Sequence, residues 1–302
     1  MTDSLELLFS IDVANTLGEG VQWHAQSNSL WWTDIHNSRL YRFDWQSRTL
    51  DQWQTPDRLT SFGILSTDPV RLLASFATGF ALYQPETGDL SWIAQPETGK
   101  PGNRFNDGRV DRQGRFWSGT MQDHGDRKPT GTLYRLDEAG VHSVLHDLTI
   151  PNALCWSPDG KRMYHADTPT GQIRTFDFAP ECGGLSGAKL FAEVPRGKPD
   201  GAAIDASGHL MCALFGGSGI ARFSPEGELT ALHDLPVSQP TCVAFGGPNL
   251  DVLFVTSATE DMTEQQRKAE PMAGHVLAYA TPYRGLAECT PDEARIPKPQ
   301  AK

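Results

Sequence analysis

The chain has few of the features that mark membrane, secreted or nucleic-acid-binding proteins. None of its apolar runs is long enough to span a bilayer, and its N-terminus lacks the basic start and apolar core of a secretory signal. Its five cysteines are odd in number and form no CxxC pair, so we expect reduced thiols. The net charge of −11 repels phosphate backbones. We therefore expect a cytoplasmic protein that binds neither membrane nor nucleic acid.

The short motifs of several enzyme classes are also missing. There is no Gly-x-Ser-x-Gly elbow, no HExxH pair, no P-loop and no dinucleotide fingerprint. A serine hydrolase of the elbow type, a zincin and a nucleotide-binding enzyme are therefore not indicated.

Short apolar strands are present in place of helical periodicity, and they recur. A run that follows a turn returns six times, at intervals of roughly 40 to 47 residues, the period of a propeller blade. The copies begin at Leu30, Arg71, Arg115, Arg162, His209 and Asp251. A second strand follows each copy, usually after a glycine-containing turn; these second strands begin at Arg39, Phe80, Thr132, Gln172, Gly219 and His275.

Two elements in six ordered copies predict an all-β fold, a six-bladed β-propeller with four-stranded blades. The N-terminal run Leu5–Phe9 is placed to complete the last blade, which would remove an exposed sheet edge. Tryptophans such as Trp23, Trp117 and Trp156 fall at repeat positions and are predicted to pack in the core. We expect one domain over residues 1–302, with a polar C-terminal tail from about Pro291.

Polar residues stand at one equivalent position in the six predicted inner strands, four residues before each strand ends. They are Glu19, Ser61, Asn106, Asn152, Asp200 and Thr241. Because equivalent residues of the blades point the same way, the six side chains should form a ring near the channel axis.

The ring is rich in hard oxygen donors and contains neither sulfur nor imidazole. Such donors suit calcium, magnesium or manganese, with zinc less favoured. Glu19, Asn152 and Asp200 together predict one divalent metal site, whereas Ser61 and Thr241 are expected to form channel wall. With three or four protein ligands, coordination positions would remain open for water or substrate.

At these residues the sequence resembles the SMP-30/gluconolactonase family, also called regucalcin-like. The matching stretches run in order through nearly the whole chain: Leu17–Trp23, Asn103–Gly108, Gly114–Met121, Pro151–Leu154, Ser157–Gly160, Pro199–Gly201 and Cys242–Pro248.

The resemblance implies a metal-dependent lactonase that converts a sugar lactone to the aldonic acid. It implies the metal ligands Glu19, Asn152 and Asp200, and substrate contacts by Arg104 and Asn106. Some members carry acidic residues after Gly-Thr-Met, where this chain has Asp123 and His124, which are the candidates for that role here.

Lactone hydrolysis needs a polarised carbonyl and an activated water. Asp200 is the predicted general base, with water activated by the metal alone as the alternative. A non-catalytic calcium-binding regulatory propeller, and a metal-dependent esterase or phosphoesterase, are the alternative functions. We expect a monomer or a weak oligomer, while the particular sugar and metal are left open.

Overall fold

Six antiparallel sheets of four strands make up the structure, a computed structural model that describes residues 4–300. The first strand, β1 (Glu6–Ile11), belongs to the sixth sheet. Blades 1 to 3 consist of β2 (Gly18–His24), β3 (Ser29–Asp34), β4 (Arg39–Asp44), β5 (Leu50–Gln54), β6 (Leu59–Thr67), β7 (Val70–Phe76), β8 (Gly79–Gln84), β9 (Asp89–Ala94), β10 (Asn103–Val110), β11 (Phe116–Gln122), β12 (Gly131–Asp137) and β13 (Gly140–Leu148). Blades 4 to 6 consist of β14 (Pro151–Trp156), β15 (Arg162–Asp167), β16 (Gln172–Ala179), β17 (Gly184–Glu193), β18 (Lys198–Ile204), β19 (Leu210–Phe215), β20 (Gly219–Phe223), β21 (Leu229–Asp234), β22 (Pro240–Gly246), β23 (Val252–Ser257), β24 (Val276–Ala280) and β1. The predicted six-bladed propeller is confirmed.

The ring is closed by the N-terminal strand. β1 pairs antiparallel with β24, so blade 6 takes three strands from one end of the chain and its outermost strand from the other. The last blade is therefore joined to the first part of the chain by backbone hydrogen bonds, as expected for Leu5–Phe9.

Aromatic side chains fill the space between neighbouring blades. Trp23 of blade 1 stacks on Phe254 of blade 6 with ring centroids 5.9 Å apart, and Trp117 of blade 3 lies 5.8 Å from Trp156 of blade 4. All four side chains are buried. Burial of apolar area, at about 25 cal/mol per Å², holds the blades together and confirms the core position predicted for the tryptophans.

Every inner strand contains a one-residue β-bulge near the ring position. In β2, for example, Glu19 pairs with Thr33 but Gln22 pairs with Trp31. An advance of three residues along β2 therefore matches an advance of two residues along β3. Four of the other inner strands, β10, β14, β18 and β22, show the same count, and β6 has two such extra residues, one of them next to Ser61. A bulge bends the strand and redirects its side chains, which is how the ring residues come to face the channel. The sequence repeats did not reveal the bulges.

Within residues 4–300, one short helix and the C-terminal segment lie outside the sheets. Helix α1 (Glu264–Ala269), between β23 and β24, begins at Thr263 with a capping box. Three single-turn 3₁₀ segments cover 25–27, 168–170 and 293–295. No helix within residues 4–300 has the length and apolar character needed to cross a membrane.

The C-terminal segment crosses the channel where the inner strands end. It leaves the sheet after β24, about ten residues before the predicted start of the tail, and Gly285 lies directly against Phe245 of β22. Glu288 forms an ion pair with the inner-strand residue Arg109 at 3.7 Å, and the Asp292 amide donates to the Gly114 carbonyl at 3.0 Å. This end of the channel is covered, and the ring of polar residues lies toward the other end.

Candidate active site

Four of the six predicted ring residues line one cavity of about 230 Å³ at the end of the channel where the inner strands begin. They are Glu19, Asn106, Asn152 and Asp200. The other two are buried in hydrogen bonds between strands: the Ser61 hydroxyl lies 3.2 Å from that of Ser118, and Thr241 donates to the Gly18 carbonyl.

The two carboxyl groups of the cavity are buried and repel each other. Burial raises the pKa of Glu19 above its usual range, and the nearby charge of Asp107 adds to the effect. Burial likewise raises the pKa of Asp200, followed by the charges of Glu19 and Asp107. Neither Glu19 nor Asp200 forms a salt bridge within residues 4–300. Two such carboxylates would be stabilised by a bound cation.

Hydrogen bonds fix the orientation of both amides in the cavity. The Arg104 guanidinium, which can only donate, bonds to Asn106 Oδ1 at 2.8 Å. Asn106 Nδ2 therefore donates, to the Pro151 carbonyl and to Asn152 Oδ1, each at 3.1 Å. Asn152 Nδ2 in turn donates to Thr168 Oγ1 at 2.8 Å. These bonds identify the oxygen of the Asn152 amide, and that oxygen keeps a second lone pair that a cation could use.

The side chains in the cavity fit a divalent metal ion. Glu19 and Asp200 supply carboxylate oxygens and Asn152 an amide oxygen, a set of hard donors suited to calcium, magnesium or manganese. No cluster of three His, Cys, Asp or Glu side chains able to hold a metal occurs in the described part of the chain. An amide ligand is consequently needed to complete a three-residue set.

Arg104 is buried among groups that hold it in place. Its Nε donates to Asp123 Oδ1 at 3.1 Å, and its Nη1 also donates to the Phe105 carbonyl at 2.8 Å. Burial lowers the pKa of Arg104 to about 10, and the charge of Asp123 opposes that change. The guanidinium thus remains charged at neutral pH, at the cavity wall beside the candidate metal ligands.

The other two predicted substrate residues lie behind that wall. Both oxygens of Asp123 accept hydrogen bonds from Arg58, at 3.0 and 2.6 Å, while one also accepts from Arg104. His124 is 86% exposed, with its Nε2 3.2 Å from Asp123. Arg104 and Asn106 line the cavity, whereas Asp123 and His124 are not among its lining residues. Asp123 is therefore placed to position Arg104.

Besides the hydroxyl of Thr168, four charged or amide side chains of the cavity wall were missed by the sequence analysis. Arg127 follows β11, Gln239 precedes β22, and Glu260 and Asp261 follow β23. All four lie in connections between strands, where the chain does not repeat. Their residue types carried no signal that could have distinguished them from other surface loops.

Three buried thiols and one buried histidine lie outside the cavity. Burial raises the pKa of Cys155 to about 12, and it also raises the pKa of Cys212 and of Cys242. Burial lowers the pKa of His165 to about 4, so this side chain is neutral in the core. These groups pack as small or uncharged side chains.

Known proteins are similar to this chain over most of its length. The L-arabinolactonase of Azospirillum brasilense is 35% identical over 282 residues, covering 91% of this chain and 92% of its own. The 6-deoxy-6-sulfogluconolactonase of Pseudomonas putida is 34% identical over 277 residues, covering 91% and 94%. A crystal structure of regucalcin from Agrobacterium tumefaciens, described as a calcium-binding protein, superposes with a TM-score of 0.90 at 28% identity and covers 97% of this chain and 100% of that one.

A family model matches the part of the chain that contains the candidate site. The match extends over residues 17–259, from the strand that carries Glu19 to the end of β23. This chain belongs to the SMP-30/gluconolactonase/LRE-like family.

Proposed function

We propose that the chain hydrolyses the ester bond of a sugar lactone in this cavity, with one divalent metal ion held by Glu19, Asn152 and Asp200. The observation that carries the proposal is the pair of buried carboxyl groups, Glu19 and Asp200, that face the cavity without a salt bridge. The lactonase relatives named above supply the substrate class.

The residues of the cavity can perform the two proton transfers that the reaction needs. A bound divalent ion would supply Lewis acidity toward the lactone carbonyl. Asp200 removes a proton from the attacking water and returns it to the ring oxygen as the ester bond breaks. Arg104 uses Nε and Nη1 for contacts within the chain, which leaves Nη2 to donate to the substrate.

The environment of Asp200 contains two opposing influences on its basicity. Burial and the charge of Glu19 raise its pKa, which strengthens it as a base. A cation bound to the same carboxylate would lower that pKa. Asp200 can serve as the base if one of its oxygens is free of the metal, and water activated by the metal alone is the alternative.

Proton release from a panel of aldonolactones tests the proposal. Chelated protein should be inactive, and addition of Mg²⁺, Mn²⁺, Ca²⁺ or Zn²⁺ should restore turnover. Glu19→Ala and Asp200→Ala should abolish it, whereas Ser61→Ala, at a ring position outside the cavity wall, should keep it. Metal-independent turnover would contradict the proposed metal role. An Asp200→Asn variant that kept both metal and turnover would exclude Asp200 as the base.

A non-catalytic calcium-binding propeller is the second candidate function. It is favoured by the Agrobacterium tumefaciens structure, which is described as a calcium-binding protein and named regucalcin. The same assay separates the candidates, because a binding protein would take up the ion tightly and hydrolyse none of the lactones. Turnover of simple esters or phosphoesters in place of lactones would indicate the third candidate, an esterase on the same scaffold.

A further inference from the structure

The cavity has two chemically different walls, one of hydrogen-bond donors and one of acceptors. Arg104 and Arg127 come from blade 3 and the loop after β11, and an arginine can only donate. Gln239 and Glu260 come from the start of β22 and the loop after β23, both in blade 6. The second wall plays no part in the mechanism above.

Hydrogen bonds hold Glu260 in place and leave one of its two carboxylate oxygens available to accept from a ligand. The ring nitrogen Nε2 of His36 lies 2.8 Å from Glu260 Oε1, and the Glu260 amide donates to the Thr16 carbonyl at 3.0 Å. The hydrogen bond from His36 lowers the pKa of Glu260, burial partly opposes that change, and the electrostatic effect of His36 adds to the lowering. The carboxylate is therefore ionised and can only accept, and Oε2 has no partner within residues 4–300.

Gln239 supplies a second acceptor beside it. Its Oε1 is buried and has no hydrogen-bond partner among the described residues. Its backbone carbonyl accepts from the Ala258 amide at 3.0 Å, which connects the start of β22 to the loop that carries Glu260. A buried acceptor without a partner is costly, so rotation of this amide toward a hydroxyl group in the cavity would be favourable.

We propose that Gln239 and Glu260 are specificity-determining residues that accept hydrogen bonds from hydroxyl groups of the lactone. This inference rests on the proposed function, and it adds the two side chains that would distinguish a polyhydroxylated lactone from a simple one. A lactone without hydroxyls would leave both acceptors desolvated and unpaired, and a site built in this way rejects an analogue that lacks the donor.

The test compares a hydroxylated lactone with a bare one at saturating metal. Glucono-δ-lactone and δ-valerolactone share the ester ring but differ in their hydroxyls. Glu260→Ala should lower kcat/KM for glucono-δ-lactone by about 10- to 100-fold, the range expected for a lost hydrogen bond to a charged group. For δ-valerolactone kcat/KM should not fall and should rise if desolvation of Glu260 disfavours that substrate. Glu260→Gln should lose less, because it keeps an acceptor, and Gln239→Met should also lower the ratio between the two substrates.

Binding without turnover provides a second readout. The cyclic polyol 1,5-anhydroglucitol has the hydroxyls of the sugar but no ester, and calorimetry should show weaker binding to Glu260→Ala than to the unaltered chain. Glu264→Ala is the matched control, since this exposed glutamate lies four residues further along, in α1, away from the cavity.

Each outcome decides the inference. Equal losses on both lactones, or an unchanged ratio in both Glu260 variants and Gln239→Met, would overturn it while leaving the lactonase proposal intact. Failure of the unaltered chain to hydrolyse any lactone with any of the metals would overturn the proposed function and this inference with it.

Discussion

Asn106 joins the arginine side of the cavity to the side with the proposed metal ligands. Its oxygen accepts from Arg104 and its amide nitrogen donates to Asn152, so one side chain sets the orientation of another. Groups that orient metal ligands are worth as much as 10- to 100-fold in metal affinity.

Replacing Asn106 by alanine should therefore weaken metal binding even though Asn106 is not among the proposed ligands. Without it, Asn152 loses the donor that fixes its oxygen, and we expect metal affinity to fall by about 10-fold or more. Calorimetric titration of chelated protein with Mn²⁺ measures this directly. Asn103→Ala, on the same strand but outside the cavity, should bind as the unaltered chain does. If Asn106→Ala bound Mn²⁺ with unchanged affinity, the orientation of Asn152 would not depend on its hydrogen bond with Asn106.

The inner strands position the ring by close packing against one another. Asp200 is followed by Gly201, and a Cβ atom at that position would lie 2.6 Å from the sulfur and 2.8 Å from the Cα of Cys242 on β22. Because backbone as well as side-chain atoms are in the way, the two strands would have to separate.

We expect Gly201→Ala to destabilise the fold by about 1–3 kcal/mol and to weaken metal binding through displacement of Asp200. Thermal unfolding with and without metal measures both effects. Gly102→Ala is the control, since a Cβ there has nothing within 4 Å. If Gly201→Ala unfolded at the same temperature as the control, the contact between β18 and β22 would be more adaptable than these distances indicate.

What could be predicted from the sequence follows from how these elements are built. Each blade repeats the same hydrogen-bonded strands, so its turns and its polar ring position recur in the sequence. This recurrence made it possible to predict the six sheets and the positions of Glu19, Asn152 and Asp200. Nothing repeats at Glu260, whose place depends on a contact with His36, 224 residues away. The bulges were missed for a related reason, because the extra residue changes the pairing between strands and leaves the spacing within each one the same.

At the scale of the whole molecule, the C-terminal segment makes the channel a pocket with one open end. Arg109 is largely buried in the channel, where it donates to the Ala202 carbonyl at 2.7 Å and pairs with Glu288 at 3.7 Å. The charge of Glu288 raises the pKa of Arg109 against the effect of burial.

Glu288→Ala should destabilise the protein by about 1–2 kcal/mol, because it removes the nearest carboxylate from a largely buried guanidinium. The melting temperature should fall, and metal binding at the far end of the channel should persist. Glu293→Ala, in the same segment but 61% exposed on its side chain, is the matched control. Equal melting temperatures for the two variants would mean that Arg109 is solvated from within the channel.

The same burial that prepares the cavity for a cation makes the metal-free protein sensitive to pH. Because burial raises the pKa of Glu19 in the folded chain above its unfolded value near 4.5, the folded chain holds more protons than the unfolded chain above that pH. The stability that the protonated group contributes is present at low pH and is lost as pH rises through the folded-state pKa; Asp200 acts in the same direction.

In the presence of a chelator, the melting temperature of the unaltered chain should therefore fall more steeply between pH 5 and 8 than that of Glu19→Gln. One pKa unit corresponds to about 1.4 kcal/mol, or roughly 3 °C for a protein of this size. Saturating metal should reverse the difference, because the ion binds the deprotonated carboxylates and displaces their protons. If the melting temperatures of the two metal-free proteins changed with pH in parallel, Glu19 would already be ionised in the folded chain over this pH range. Repulsion between the two buried carboxyl groups would then not explain binding of a cation in the channel.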